Sequence, residues 1–384
     1  MRPATPVFPP TSSRREMLAA VGCAWLAAAA SARRPAPASS PIELFAGGYN
    51  RESGRGVLPL TYTADTGGWR AGASVASAPD ASFGAFSSRF GRHYLVQEQQ
   101  GGNLLTFRVD DNGWHRLDSV PTLGDDPCHL ALDRSQSVLA VANYSSGSVV
   151  LYRLDPATGL PVGPGSRRIH EGSGPNRERQ DHAHAHWVGF TPDSRWLLAV
   201  DLGADAIFAH PFDMQTGALG EGRIAFRARA GSGPRHLALH PGGSYAYLVS
   251  ELASTVTVLA TGPGPSFREL ASLSTLPSGF SGQSTAAEIA LNAAGSHLYV
   301  SNRGHDSIAV FAVGHDGGLT PQGHVPSGGQ GPRYFRLLEP QRRLLVANEK
   351  SGTIVPFQIE PDGRLTPHGP SATAPGVTYI GQVT

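Results

Sequence analysis

Lysine and cysteine are almost missing from this 384-residue sequence. Lys350 is the single lysine, so a phosphate-binding loop or a Schiff-base site would have to use that residue. Cys23 and Cys128 are the two cysteines, which allows one disulfide bond at most. No serine nucleophile elbow of the Gly-x-Ser-x-Gly form occurs, so the sequence does not indicate that class of hydrolase.

An excess of either charge is also lacking, since 31 basic residues face 30 acidic ones. No basic tract marks a nucleic-acid surface, and we expect no nucleic acid partner. Apolar runs are short and are interrupted by turn residues, so long amphipathic helices are not indicated. The 47 glycines and 31 prolines suit many short strands joined by turns.

The N-terminal segment has the features of an export signal. Arg14 and Arg15 precede an apolar run, Leu18–Ala30, which is too short to cross a bilayer as a helix. Ala30-Ser31-Ala32 then provides a small-x-small cleavage site, and the whole resembles a twin-arginine signal. An ordinary N-terminus, a Sec signal with a chance arginine pair and a lipoprotein site at Cys23 are the alternatives.

Cleavage after Ala32 would change the composition of the mature chain. It would leave 28 basic and 29 acidic side chains, with Cys128 as the remaining cysteine. The mature protein would be periplasmic or secreted through the twin-arginine pathway, with no membrane attachment. Because it would have no internal disulfide bond, its hydrophobic core has to hold the fold.

A unit of about fifty residues repeats along the chain. In each unit an apolar residue that ends one short strand lies 11 positions before a polar residue that ends the next. The pairs are Phe86/Gln97, Leu132/Asn143, Phe190/Asp201, Leu239/Ser250, Leu291/Asn302 and Leu337/Asn348. The apolar anchors are spaced by 46, 58, 49, 52 and 46 residues. Four short strands per unit at this period are typical of a β-propeller.

Six such units lie between Ser82 and about Thr366, and the length of the chain predicts a seventh. Residues 42–49 can supply inner strands of the last blade and Val377–Val383 can close the ring, which leaves no long sheet edge exposed. We therefore predict an all-β, seven-bladed β-propeller with four-stranded blades, closed by the two termini. It occupies residues 42–384, after a signal peptide (1–32) and a linker (33–41). A β-sandwich is the alternative, but its strands would not share one register six times. A closed ring needs no partner, so we expect a monomer.

Two columns of equivalent positions flank the inner strands and should meet at one mouth of the central channel. Four residues before each anchor stand Ser82, Cys128, His186, Arg235, Ala287 and Arg333. Twelve residues after it stand Glu98, Tyr144, Leu202, Glu251, Arg303 and Glu349. Charged side chains directly after apolar strands favour a polar small-molecule site over ordinary solvated turns.

The run from Asp181 to His186 contains three alternating histidines, which share one face if the run is a strand. A metal site, an organic active site with histidine as base or hydrogen-bonding group, and a structural role all remain open. No fixed carboxylate other than Asp181 is evident near the run, and we predict neither a metal nor a cofactor. Cys128 suits a small packed side chain better than a nucleophile.

Several segments together resemble the 6-phosphogluconolactonase family of seven-bladed propellers. They are Gly47-Gly48-Tyr49, Ala199–Ala204, Gly231–Pro241, Leu248–Glu251, Ala287–Leu291 and Leu298–Ile308. The resemblance implies four catalytic residues: His186, Arg235, Glu251 and Arg303. We add six substrate-binding candidates around them: His184, His236, Glu288, Asn302, Arg333 and Glu349.

The resemblance implies a metal-independent hydrolase that opens a sugar lactone, similar to 6-phosphogluconolactone, to its aldonic acid. Glu251 or His186 could activate the water, while Arg235 and Arg303 could hold the oxyanion or an acidic group of the substrate. Export would separate the chain from cytoplasmic sugar metabolism, so phosphorylation of the substrate stays open. A non-catalytic exported propeller that binds a sugar acid or a protein, and a muconate-type lactonizing cycloisomerase, are the alternatives.

Overall fold

The computed structural model describes residues 40–49 and 56–383, which form seven β-sheets arranged as the blades of a propeller. The predicted signal peptide and most of the predicted linker lie outside the described residues. The first strand begins at Ile42. Within the described ranges, no helix has the length and hydropathy needed to cross a membrane.

The first half of the chain contributes strands to four blades. In chain order they are β1 (Ile42–Gly48), β2 (Leu58–Thr63), β3 (Gly68–Ala71), β4 (Phe83–Ser87), β5 (Arg92–Gln97), β6 (Asn103–Asp110), β7 (Gly113–Pro121), β8 (Pro127–Leu132), β9 (Val138–Asn143), β10 (Ser148–Leu154), β11 (Pro161–Ile169), β12 (Ala185–Phe190), β13 (Trp196–Asp201), β14 (Ala206–Pro211) and β15 (Arg223–Arg227).

The second half supplies three further blades and returns to the first. Its strands are β16 (Pro234–Leu239), β17 (Tyr245–Ser250), β18 (Thr255–Thr261), β19 (Phe267–Ser274), β20 (Thr285–Leu291), β21 (His297–Arg303), β22 (Ser307–Val313), β23 (Leu319–Pro326), β24 (Pro332–Leu338), β25 (Arg343–Asn348), β26 (Thr353–Ile359), β27 (Leu365–Pro367), β28 (Ala372–Thr373) and β29 (Val377–Gln382). One 3₁₀ turn, Glu339–Gln341, separates β24 from β25.

The blades close into a ring through the two ends of the chain. Blade 1 has the strand order β29-β1-β2-β3, and blades 2 to 7 begin at β4, β8, β12, β16, β20 and β24. These first strands and β29 each contact the next one around the ring. The predicted seven-bladed, all-β fold with a shared terminal blade is confirmed. In that blade Val377–Gln382 is the innermost strand and closes the ring, and Ile42–Gly48 is the second strand.

Short turns between the first and second strands fix the repeated 11-residue register. Asp133 accepts hydrogen bonds from the backbone amides of Ser137 and Val138 at 2.7 and 2.9 Å. Asn292 does the same for Ser296 and His297 in another blade, at 2.8 and 3.0 Å. A short polar side chain that binds the backbone ahead of it stabilises a tight turn, which keeps the two strands of each hairpin aligned.

The hydrophobic core lies between neighbouring sheets rather than at one centre. Leu198 and Ile207 of blade 4, for example, pack with Leu237 and Leu248 of blade 5. Each second strand is buried on both faces, as β9 is along its whole length. Burial of this kind is the main stabilising contribution to a fold without disulfide bonds. The sheets are thereby held in a fixed ring around the channel.

Candidate active site

A polar cavity of about 340 Å³ lies at one mouth of the central channel. All seven blades contribute to its wall. The lining residues are Tyr49, Glu98, Cys128, Tyr144, Arg179, His186, Glu251, Thr285, Arg303 and Arg333. Seven of these ten belong to the two columns identified in the sequence, so the columns do converge.

β-Bulges in the innermost strands position the first column. His186 is the extra residue between the pairs Ala185↔Asp201 and Trp187↔Val200. Cys128, Arg235 and Arg333 occupy the same place in their own strands. A bulge leaves its extra residue out of the ladder and re-aims its side chain. The repeated bulge is therefore the local feature that places functional side chains at the channel.

Glu251 is the centre of the cavity's charge network. Its Oε1 accepts a hydrogen bond from Arg179 Nη2 at 2.7 Å, while Oε2 lies 2.9 Å from Arg303 Nη2 and 3.1 Å from Arg235 Nε. Burial favours protonation of this carboxyl, but the three guanidinium groups outweigh burial and hold the pKa of Glu251 well below its usual range. Glu251 is thus a permanent anion that orients three arginines, and a weak base.

A second charge cluster surrounds Arg333. Its Nη2 donates to the Tyr49 hydroxyl at 2.8 Å, and that hydroxyl donates to Glu98 Oε1 at 2.7 Å. Glu349 Oε2 lies 4.0 Å from Arg333 Nη1. Burial alone would lower the pKa of Arg333, but the facing Tyr49, Glu98 and Glu349 raise it above its ordinary value. The predicted candidate Arg333 therefore lines the cavity, and the candidate Glu349 lies beside its guanidinium group without lining the cavity.

His186 is buried beside Cys128, with its Nδ1 3.9 Å from Cys128 Sγ. Burial, together with the Arg235 guanidinium, lowers the pKa of His186 well below its ordinary value. The imidazole is consequently neutral near pH 7 and able to accept a proton. Burial also raises the pKa of Cys128 well above the ordinary thiol value, which opposes thiolate formation and agrees with a packed cysteine.

Arg235 and two predicted binding residues lie in the narrow part of the channel next to the cavity. Arg235 Nη1 donates to the carbonyl oxygen of Ala287 at 2.7 Å and lies 3.1 Å from His236 Nε2. His236 Nδ1 is 3.3 Å from Glu288 Oε1. Burial raises the pKa of Glu288 to about 7. Glu288 lines this narrow part of the channel and not the cavity itself, and it is linked to Arg235 through His236.

Asn302 and His184, like Glu349, line neither the cavity nor the narrow part of the channel. Asn302 is fully buried, donates to the carbonyl oxygen of Thr275 at 2.8 Å and accepts from its hydroxyl at 2.6 Å. Asn143 and Asn348 make equivalent bonds to backbone carbonyl groups in their own blades. In blades 3, 6 and 7 this side chain ties the blade to the segment that leads into it from the preceding blade. His184 stacks against the ring of Tyr144 instead of lining the cavity.

Arg179 is the charged residue of the cavity wall that the sequence did not indicate. It lies on the loop between β11 and β12, outside the columns of the repeat, and also contacts the Tyr144 hydroxyl at 3.3 Å. The signal that could have found it is the 58-residue spacing between Leu132 and Phe190, the longest of the five. That excess length is the loop that carries Arg179 over the cavity.

The channel cavity differs from another large cavity of the described residues in the charged side chains that line it. This other cavity, of about 250 Å³, opens on the outside between blades 4 and 5 and is lined largely by turn residues with Trp196, Tyr245 and Phe267. The channel cavity instead gathers three arginines, with Arg235 next to them in the narrow part of the channel, and these groups can bind a carboxylate, a phosphate or a developing oxyanion. Fold and site together define a seven-bladed propeller with a cationic small-molecule site in its channel.

Comparison with known proteins identifies the family. Residues 43–381 match the family described as "Lactonase, 7-bladed beta-propeller", and the chain belongs to it. It is 36% identical to a 6-phosphogluconolactonase of Bacillus subtilis over 281 residues, 71% of this chain and 78% of that one. The family is one of lactone (carboxylic ester) hydrolases, so the predicted class of enzyme is confirmed.

Solved structures agree with this assignment. A periplasmic gluconolactonase of Pseudomonas aeruginosa superposes with a TM-score of 0.81 at 26% identity, covering 90% of this chain and 99% of that one. A putative 6-phosphogluconolactonase of Bacteroides fragilis gives a TM-score of 0.81 at 27% identity, with 91% and 100% coverage.

Proposed function

We propose that this protein hydrolyses a sugar lactone, similar to gluconolactone or its 6-phosphate, to the aldonic acid without a metal ion in the reaction. The observation that carries the proposal is the set of guanidinium groups organised by Glu251 beside a neutral, buried His186. Lactone opening needs a base for water and a cationic site for the oxyanion, and the cavity offers both.

The proposed reaction uses His186 as the general base. His186 takes a proton as water adds to the lactone carbonyl, and negative charge develops on the carbonyl oxygen. Arg303 stabilises that charge. Arg235 contacts the same Glu251 oxygen as Arg303 and thereby helps to position the Arg303 guanidinium group. The ring C–O bond then breaks, and the proton goes to the ring oxygen, which becomes a hydroxyl of the aldonic acid. Arg179 and Arg333 are available for the acidic group of a substrate.

A lactone panel tests this function. We expect acid release in a pH-stat assay with gluconolactone, its 6-phosphate or a related sugar lactone, after spontaneous hydrolysis is subtracted. Prior removal of metals with EDTA should leave the rate unchanged, because the proposed groups are all organic. Saturable binding of the sugar acid without turnover of any lactone would contradict the proposal, as would ring closure of a muconate. Loss of activity that one divalent ion restores would contradict metal independence.

The pH dependence of kcat/KM reports the protonation state of His186. Because its pKa is lowered by burial and by Arg235, we expect kcat/KM to stay level as the pH falls through 6.5 and to decline only at a lower pH. Replacing Arg235 by methionine removes a positive charge, so the acid limb of the profile should move to higher pH. An acid limb at or above pH 6.5 in the unmodified enzyme would exclude His186 as this base.

We also propose that the enzyme acts outside the cytoplasm as a monomer. The export proposal rests on the arginine pair and cleavage site before residue 33, and the periplasmic Pseudomonas relative supports it. The monomer proposal rests on the closed ring of seven blades. Fractionation of cells that express the full chain, followed by size-exclusion chromatography of the mature protein, tests both.

A further inference from the structure

Three side chains of the histidine run form a compact cluster beside the cavity. Asp181, His182 and His184 each offer one ligand atom, and these atoms lie within 4.8 Å of one another. His182 Nδ1 is 3.0 Å from Asp181 Oδ2, and His184 Nε2 is 3.2 Å from Asp181 Oδ1. None of the three lines the cavity, so the cluster is separate from the proposed reaction site.

The outer nitrogen of each histidine is fixed by a backbone carbonyl group. His182 Nε2 lies 2.9 Å from the carbonyl oxygen of Ser145, and His184 Nδ1 lies 3.2 Å from that of Tyr144. A carbonyl oxygen can only accept a hydrogen bond, so these outer nitrogens carry the hydrogen atoms. The inner nitrogens of neutral histidines therefore present lone pairs to the Asp181 carboxylate.

A divalent cation between the two inner nitrogens and the carboxylate would be bound by all three groups at once. Histidines bound to metals usually donate their second N–H to a backbone carbonyl or a carboxylate, which is the arrangement of His182 and His184.

We propose that Asp181, His182 and His184 form a binding site for a divalent transition-metal ion such as Zn²⁺ or Cu²⁺. Two imidazoles and a carboxylate suit these ions rather than Mg²⁺ or Ca²⁺. Zinc binds nitrogen and oxygen at about 2.0–2.2 Å in tetrahedral sites, so neighbouring ligand atoms lie roughly 3.3–3.6 Å apart. The two separations from Asp181, 3.0 and 3.2 Å, are slightly shorter than this. The fourth position faces solvent, because Asp181 and His182 are both exposed.

A bound ion would order the loop that precedes β12 without taking part in the reaction. Asp181 is two residues from Arg179, and His184 stacks on Tyr144, whose hydroxyl contacts Arg179. Arg179 itself is held by Glu251 at 2.7 Å with or without the ion, so the ion should change the opening of the loop and not the lactone rate. Hydrogen–deuterium exchange in residues 176–184 should slow when Zn²⁺ is added, and the effect should be lost in His182→Ala.

Metal titration of the tag-free mature protein tests the site without reference to lactone turnover. After removal of metals, we expect one Zn²⁺ per chain in competition with a chromophoric chelator, and Cu²⁺ EPR should show two nitrogen ligands. His182→Ala should bind at least about tenfold more weakly. The matched control is His115→Ala, because His115 is also exposed and lies 3.0 Å from Asp110 but has no second histidine in contact with that carboxylate.

Each outcome of the titration either supports or contradicts the metal site. Retained affinity in His115→Ala together with loss in His182→Ala supports the site, and a His182→Ala variant with unchanged Tm excludes misfolding as the cause. Equal affinity in all three proteins, no binding at all, or Cu²⁺ without nitrogen ligands would overturn the proposal. Because the titration contains no substrate, failure of the lactonase proposal would leave these results intact.

Discussion

Replacement of Arg303 by alanine is expected to lower kcat/KM for the sugar lactone by about a hundredfold or more while the protein stays folded. Loss of one well-placed oxyanion contact costs about 10²–10³ in rate. Arg303 is partly exposed at the cavity and is held by Glu251 at 2.9 Å. Its removal leaves Glu251 paired with Arg179 and Arg235, so no buried charge is left without a partner.

Steady-state kinetics of three variants make this test specific. Arg303→Lys keeps the charge but loses the planar fork, so it should recover only part of the activity. Arg108→Ala is the matched control, because Arg108 is an exposed arginine with its own carboxylate partner, Asp110, at 3.0 Å. Near-normal turnover in a folded Arg303→Ala variant would remove Arg303 from the mechanism.

Glu251→Gln is expected to abolish most activity and to destabilise the protein as well. Three guanidinium groups converge on this one carboxylate, and the amide cannot balance their charge. Removal of one member of a buried ion-pair network costs about 3–5 kcal/mol, with glutamine at the lower end because its oxygen can still accept a hydrogen bond. Calorimetry should show a Tm lowered by several degrees, and kcat/KM should fall at least as far as in Arg303→Ala.

The addition of an anion distinguishes the loss of the Glu251 charge in Glu251→Gln from a general loss of packing. Sulfate should raise the Tm of Glu251→Gln more than that of the unmodified protein, because the freed arginines bind it. Glu221→Gln is the control, since Glu221 is almost fully exposed and lies 3.7 Å from Arg168. A Tm of Glu251→Gln that equals that of the control would show that Glu251 does not organise the arginines.

The repeat could be predicted from the sequence because it is a local property. All six pairs, from Phe86/Gln97 to Leu337/Asn348, fall in the first and second strands of their blades. The period gave the blade count, and the columns gave seven of the ten residues that line the cavity. Equivalent positions in a ring of similar blades must face one axis, so register alone brings them together.

Other features of the site depend on contacts that register does not contain. Asn302 lies near the end of β21 and Glu251 directly follows β17, yet one is tied to Thr275 and the other faces three arginines. Arg179 reaches the cavity from a loop outside the repeat. Which carboxylate keeps a low pKa, and which histidine stays neutral, depends on those same contacts.

The sequence by itself therefore determined the propeller, its blade number and the two columns of candidate residues, because strand alternation and turn chemistry act over a few residues. Only the tertiary structure decided how these residues are used. The bulges re-aim His186 and Arg235, the loop brings Arg179 across the channel, and the ring brings charges from three parts of the chain onto Glu251. Burial and electrostatic interactions between residues distant in sequence arise only when the ring closes.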